Sequence, residues 1–126
     1  MKTSSAKAKG RRLQNLIVGK LRRAFRGIIP EDNIRAAIMG ETGVDIKLSA
    51  LARKYIPFAV ESKNQEKLNI WQAIAQAEAN KGEDKPVVVF TRNRAEVYAV
   101  LKFDDFVELL GYRIAAVRYE DVLKSE

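Results

Sequence analysis

Pro57-Phe58-Ala59-Val60-Glu61-Ser62-Lys63 decides the reading of this chain. Side chains alternate across a β-strand, so Phe58, Val60 and Ser62 take one face and Ala59, Glu61 and Lys63 the other. The strand predicted here therefore brings a carboxylate and an amine out together. Sixteen residues earlier, Gly43-Val44-Asp45-Ile46 places a second carboxylate inside a predicted strand, Val44–Leu48. On neighbouring strands, Asp45, Glu61 and Lys63 converge on one edge of a sheet.

The surrounding chain supplies the rest of that sheet. Leu13, Leu16, Ile17, Leu21, Ala24 and Phe25 recur at helical spacing and predict a first helix from about Gly10 to Phe25. Ile34–Met39 reads as a strand, with Gly40 and Gly43 bracketing a tight connection before Asp45. Ser49 is placed to cap a short helix over Ala50–Lys54. Asn69 is placed to cap a helix from Ile70 to about Lys81, with Gly82 as its stop. Val87-Val88-Val89-Phe90 predicts a central strand buried on both faces. A hairpin turn over Arg92–Ala95 leads to a strand at Val97–Leu101. A last helix starts at Asp104 or Asp105 and runs through Leu110. Residues 111–126 read equally as strand or helix. Their apolar residues, Ile114-Ala115-Ala116-Val117 with Tyr112 and Tyr119, imply packing on the chain's own sheet or across a twofold axis. The expected architecture is α/β: one domain, residues 10–126, with a central mixed β-sheet flanked by helices, behind a flexible basic arm at residues 1–9.

Composition bounds the chemistry. The 126 residues suit one domain, and a hydrophobic share of 47% is enough for a core. With no Cys and no His, thiol chemistry, zinc fingers and Ser-His-Asp triads are excluded. Any metal must sit on oxygen ligands, which favours magnesium, manganese or calcium. The lack of disulfides suits a cytoplasmic setting, the host's if a phage encodes the chain. No apolar run is long enough to span a membrane. Residues 1–26 carry nine Lys and Arg and no acid, so against a net charge of +7 the remainder is slightly acidic. Such a footprint suits the phosphate backbone of nucleic acid.

The carboxylate pair with its lysine is what phosphodiester hydrolysis uses. Magnesium binds through one or two protein carboxylates, polarises phosphate and acidifies water. An ammonium offsets charge in the transition state. The Val60 carbonyl, just before Glu61, is a candidate further ligand.

These residues resemble the PD-(D/E)XK nuclease superfamily. Asp45 matches the motif aspartate, though Val44 stands where the motif has proline, and Glu61-Ser62-Lys63 matches (D/E)XK. The order of elements over residues 10–101 is similar too, and Met39-Gly-Glu-Thr-Gly-Val-Asp45 looks like the turn of small phage nucleases and Holliday junction resolvases. The resemblance implies a restriction-endonuclease-like core and a magnesium-dependent endodeoxyribonuclease acting on DNA, branched DNA included. Cutting two strands with one site per chain implies a homodimer or a higher symmetric assembly, and nicking or end-processing is the alternative activity. Where many members carry a first-helix glutamate, this chain has Gln14 or Asn15. A helix glutamine directed at the site would be Gln72 or Gln76, of which Gln76 is preferred. Lys9, Arg11, Arg12, Asn64, Arg92 and Arg94 are the candidate DNA contacts, and Glu41 a candidate third acid. Trp71 reads as a packing residue. A catalytically silent nucleic-acid-binding module of the same fold, and an interaction protein meeting an acidic partner, are the competing classes.

Overall fold

The first helix begins upstream of the apolar stripe: in the computed structural model, which describes residues 3–125, helix α1 spans Thr3–Ala24. The expected arm is thus helical from Thr3, not only from Gly10. Ala6, Lys7, Ala8 and Lys9 are good helix formers and extend the helix N-terminally. Residues 1 and 2 of that arm, and residue 126, lie outside the described residues. Leu13, Ile17 and Val18 are buried, whereas Leu16 and Ala24 from the expected stripe are exposed. Arg22 anchors the far end of α1. Its Nε donates to the carbonyls of Glu31 and Ile34 at 2.9 and 3.0 Å.

Strands β1 (Ile34–Ala36) and β2 (Ile46–Leu48) form an antiparallel pair with Ile34 opposite Leu48 and Ala36 opposite Ile46. Both strands are shorter than expected. The chain leaves the ladder at Ala37, and the turn to β2 needs left-handed backbone at Gly40 (φ 85°) and Gly43 (φ 92°), which glycine adopts without a Cβ penalty. Ser49 caps α2 (Ala50–Tyr55) by accepting the Ala52 N–H at 3.0 Å.

The second sheet is mixed. β3 (Phe58–Asn64) runs parallel to β4 (Lys85–Thr91), and β4 runs antiparallel to β5 (Tyr98–Leu101). Helix α3 (Ile70–Asn80), capped by Asn69 on the Gln72 N–H at 3.1 Å, makes the parallel crossover. It presses Ala73 and Ala77 against Val88 on one face of the sheet. On the opposite face α1 packs Leu13 and Ile17 into a core with Val60, Ile34 and Ile46. Trimming either fully buried isoleucine to alanine would cost about 2–5 kcal/mol. The fold is therefore an α/β domain with helices on both sides of a mixed sheet.

Three further expectations change. β4 is central, yet only Pro86 and Val88 are buried, because α1 covers β3 and leaves Val87 and Val89 half-open. Trp71 is 77% exposed, at the lip of an apolar cavity of about 240 Å³ between α3 and β4–β5. The C-terminal segment is one helix, α4 (Phe103–Ser125), with no buried residue, so it does not pack on the chain's own sheet. Among the described residues, no helix is long and apolar enough to cross a membrane.

Candidate active site

Asp45 sits where the two sheets meet. Its N–H donates to the Val60 carbonyl at 3.2 Å and its own carbonyl accepts the Ala37 N–H at 2.8 Å, so its backbone is clamped from both sides. The residue lies just ahead of β2 instead of within it. The Val60 carbonyl, a candidate ligand, accepts this link between strands with one of its two lone pairs. The Asp45 side chain reaches across to β3. Its Oδ2 accepts the Ser62 N–H at 2.7 Å and the Ser62 hydroxyl at 3.2 Å.

Glu61 projects toward α3, as strand alternation requires. It retains 2% of its surface, and its Oε1 accepts Asn80 Nδ2 at 2.9 Å. The Asp45 carboxylate is within hydrogen-bonding reach of it. Burial pushes the Glu61 carboxyl up to about 7; the Asn80 hydrogen bond pulls it down, the facing Asp45 charge raises it further, and Lys63 lowers it. Asp45 and Glu61 thus face each other, and Lys63 acts on Glu61 through its charge, with no ion pair to either acid among the described residues. Each carboxylate has one oxygen fixed by a neighbour, while Asp45 Oδ1 and Glu61 Oε2 accept nothing from a donor among the described residues.

Two open clefts flank these residues. Asp45 lines one, of about 600 Å³, together with Lys7, Arg11, Gln14 and Asn15 of α1. Both candidate replacements for a first-helix glutamate therefore come to the Asp45 side. Lys63 lines the other, of about 680 Å³, with Lys67, Gln72 and Gln76. The preferred Gln76 and its rival share that cleft, and both are exposed.

Glu41 is not a third acid of the pair, although it lines the Asp45 cleft. Arg35 grips both its oxygens at 2.9 Å. That hydrogen bonding, with the Ile38 N–H, holds its carboxyl down at about 2. No group of three or more acids able to hold a metal occurs among the described residues.

The expected DNA contacts divide. Arg11 and Arg12 are exposed on α1, and Arg92 and Arg94 on the β4–β5 turn, where Arg94 has φ 61°. Lys9 is 6% exposed and its amine has no hydrogen-bond partner among the described residues, so it lies on the buried α1 face that carries Leu13 and not on the open surface. Asn64 donates from Nδ2 to the Lys9 carbonyl at 3.1 Å. It fastens α1 to the end of β3 and is not a free surface group.

Asn80 and Ser62 were missed by sequence reasoning. The signal for Asn80 was available: Ala73, Ala77 and Asn80 follow 4–3 spacing, so the buried alanine stripe of α3 ends on the amide that meets Glu61. No protein-family model, curated protein or solved structure matches the chain.

Proposed function

We propose that the chain is a metal-dependent nuclease that hydrolyses phosphodiester bonds in DNA. The observation that carries this reading is the facing pair Asp45–Glu61 with Lys63 beside it. Two carboxylates so close, one of them buried, repel unless a proton or a cation joins them. The all-oxygen donor set, with one uncommitted oxygen on each carboxylate, fits magnesium or manganese better than a softer metal. When bound there, the ion supplies charge neutralisation at phosphate and acidifies water.

The chain's own groups do the remaining work. Ser62 and Asn80 hold the two carboxylates in place, so their orientation needs no reorganisation during the reaction. The Lys63 ammonium orients the attacking water and offsets charge growing on the phosphate oxygens. Parallel pairing of β3 and β4 brings Asn64 beside Thr91, which sets Lys63 and the Arg92–Arg94 turn at one end of the sheet. The Asn64–Lys9 bond brings the start of α1 to that same end. Lys7, Arg11, Lys67, Arg92 and Arg94 then form a cationic rim for a phosphate backbone.

The test is incubation with magnesium and linear, nicked, flapped and four-way DNA. Cleavage is expected with magnesium or manganese and none in excess chelator. Calcium supports binding without turnover. Robust cleavage in chelator rules the mechanism out. Preference for the four-way substrate identifies a resolvase-like enzyme, and cutting confined to nicks or ends identifies an end-processing one.

One observation favours a second reading. The near-complete burial of Glu61 and its raised pKa let a proton take the cation's place, giving a silent DNA-binding module. DNA binding with no cleavage of any substrate at pH 8 selects it.

The cationic rim predicts a salt effect under either reading. Substituting Lys7 and Arg11 by alanine should weaken binding to unrelated sequences alike. Each lost phosphate contact should flatten the salt dependence by about one unit of slope. Titration at several salt concentrations measures it, and an unchanged slope makes α1 a bystander.

A further inference from the structure

Helix α4 is the element the domain leaves unused. It runs from Phe103 to Ser125 and buries nothing, yet ten of its large apolar side chains are exposed, Phe103 at 74%. An isolated helix is marginal in water, and a helix apolar on more than one side is normally buried. At about 100° per residue, Phe103, Val107, Leu110, Ile114 and Val117 follow 4–3–4–3 steps down one side. A second stripe, through Tyr112 and Tyr119, lies opposite. The Lys85–Glu108 ion pair at 3.5 Å and half-buried Asp105 turn the first turns of that second side toward the domain. The first stripe lies on the other side of the helix, exposed from Phe103 to Ile114 and half-buried at Val117.

We propose that the Phe103–Val117 stripe is an antiparallel interface with the same helix of a second copy of this chain. The charges beside the stripe choose the occupant and its direction. Asp104, Gly111 and Arg118 stand seven residues apart on one flank. Antiparallel pairing sets Asp104 against Arg118 of the second copy, twice, and brings the two Gly111 backbones together at the twofold axis. Parallel pairing would instead oppose Arg113 and Arg118 on both flanks, since flank residues five apart meet across a parallel seam. On the second flank of the antiparallel pair, Arg113 meets its own copy at the solvated rim, where screening keeps repulsion small.

The seam covers roughly 22 Å of helix at about 1.5 Å per residue. Such a contact removes on the order of 600–800 Å² per chain, close to the roughly 800 Å² per partner of a standard interface. That area is enough for a specific dimer. The interface stands independently of the nuclease reading.

Equilibrium sedimentation tests it without any activity assay. The full chain is expected to be dimeric at tens of micromolar, and Ile114→Asp monomeric with unchanged domain melting. Asp104→Arg and Arg118→Asp should each weaken the dimer about tenfold, and the two together should restore it. Because the chain has no Cys, Gly111→Cys provides a single thiol, which should cross-link on oxidation faster than the thiol of Tyr112→Cys. A monomer at about 100 micromolar, two decades above a micromolar dissociation constant, overturns the proposal. So does a double charge swap that fails to recover the dimer, or faster cross-linking at position 112.

Discussion

Asp45→Asn and Glu61→Gln are each expected to lower magnesium-supported cleavage by about 10³-fold or more while leaving the domain folded. The substitutions remove one charge and almost no shape. The asparagine amide keeps a side-chain oxygen for the Ser62 N–H and hydroxyl, which Asp45 Oδ2 accepts at 2.7 and 3.2 Å. The glutamine amide likewise keeps an oxygen for Asn80, the donor to Glu61. What each loses is the negative charge that holds a divalent cation. Asp45→Ala is a poorer test, because it also strips the Ser62 N–H of its partner at a cost of about 1–3 kcal/mol. DNA binding should persist or strengthen in both isosteric variants, since a negative charge near phosphate is gone. Lys63→Ala should lose most of the rate but keep its metal affinity, separating transition-state charge from metal binding. Asn80→Ala should reduce the rate about tenfold by releasing Glu61. Single-turnover cleavage with purified variants reads all four, and wild-type rates for Asp45→Asn or Glu61→Gln would remove the site from this pair.

The sequence carried the β3 face and the capping of α2 and α3 because those depend on local rules. Alternation puts Glu61 and Lys63 on one side of any regular strand, and Ser49 and Asn69 are strong cap residues wherever a helix follows. It carried less about Asp45, whose place depends on a contact with Ser62, 17 residues along the chain on β3. Lys9 shows the limit of charge counting. It lies four residues before Leu13, on the side of α1 that packs against β3, so helical phase outweighs its charge. Val60 shows another limit, since its carbonyl accepts an inter-sheet hydrogen bond from Asp45 that no local pattern encodes. α4 was undecidable because it is apolar on two opposite sides, which cancels the periodicity by which an amphipathic helix is recognised.

A second large effect is expected in the pH dependence of stability. The Glu61 carboxyl has an ordinary value near 4.5 and is raised to about 7 in the fold, first by burial. The folded chain therefore keeps a proton between about pH 4.5 and 7 that the unfolded chain has already released. Where the native state binds more protons than the unfolded one, stability falls as pH rises. The contribution is fully present below about pH 4.5, declines across that window and levels off above pH 7. At about 1.4 kcal/mol for each pKa unit, the fall is up to about 3 kcal/mol, or roughly 10 °C in melting temperature for a domain of this size. A divalent cation at Asp45 and Glu61 favours the ionised form, so magnesium should raise the melting temperature more at pH 8 than at pH 5. Glu61→Gln cannot titrate. In chelator it should melt at or above the wild-type temperature at pH 8, and both its slope with pH and its response to magnesium should flatten. Melting curves at pH 5 to 8, with chelator or magnesium, test both halves for the wild-type chain and Glu61→Gln. If the metal-free chain melts at the same temperature across that range, Glu61 is ionised in the fold and burial does not govern its charge. If the slope is present but magnesium leaves pH 8 melting unchanged, the carboxylate pair holds a proton and not a metal, which is the state the silent DNA-binding module requires.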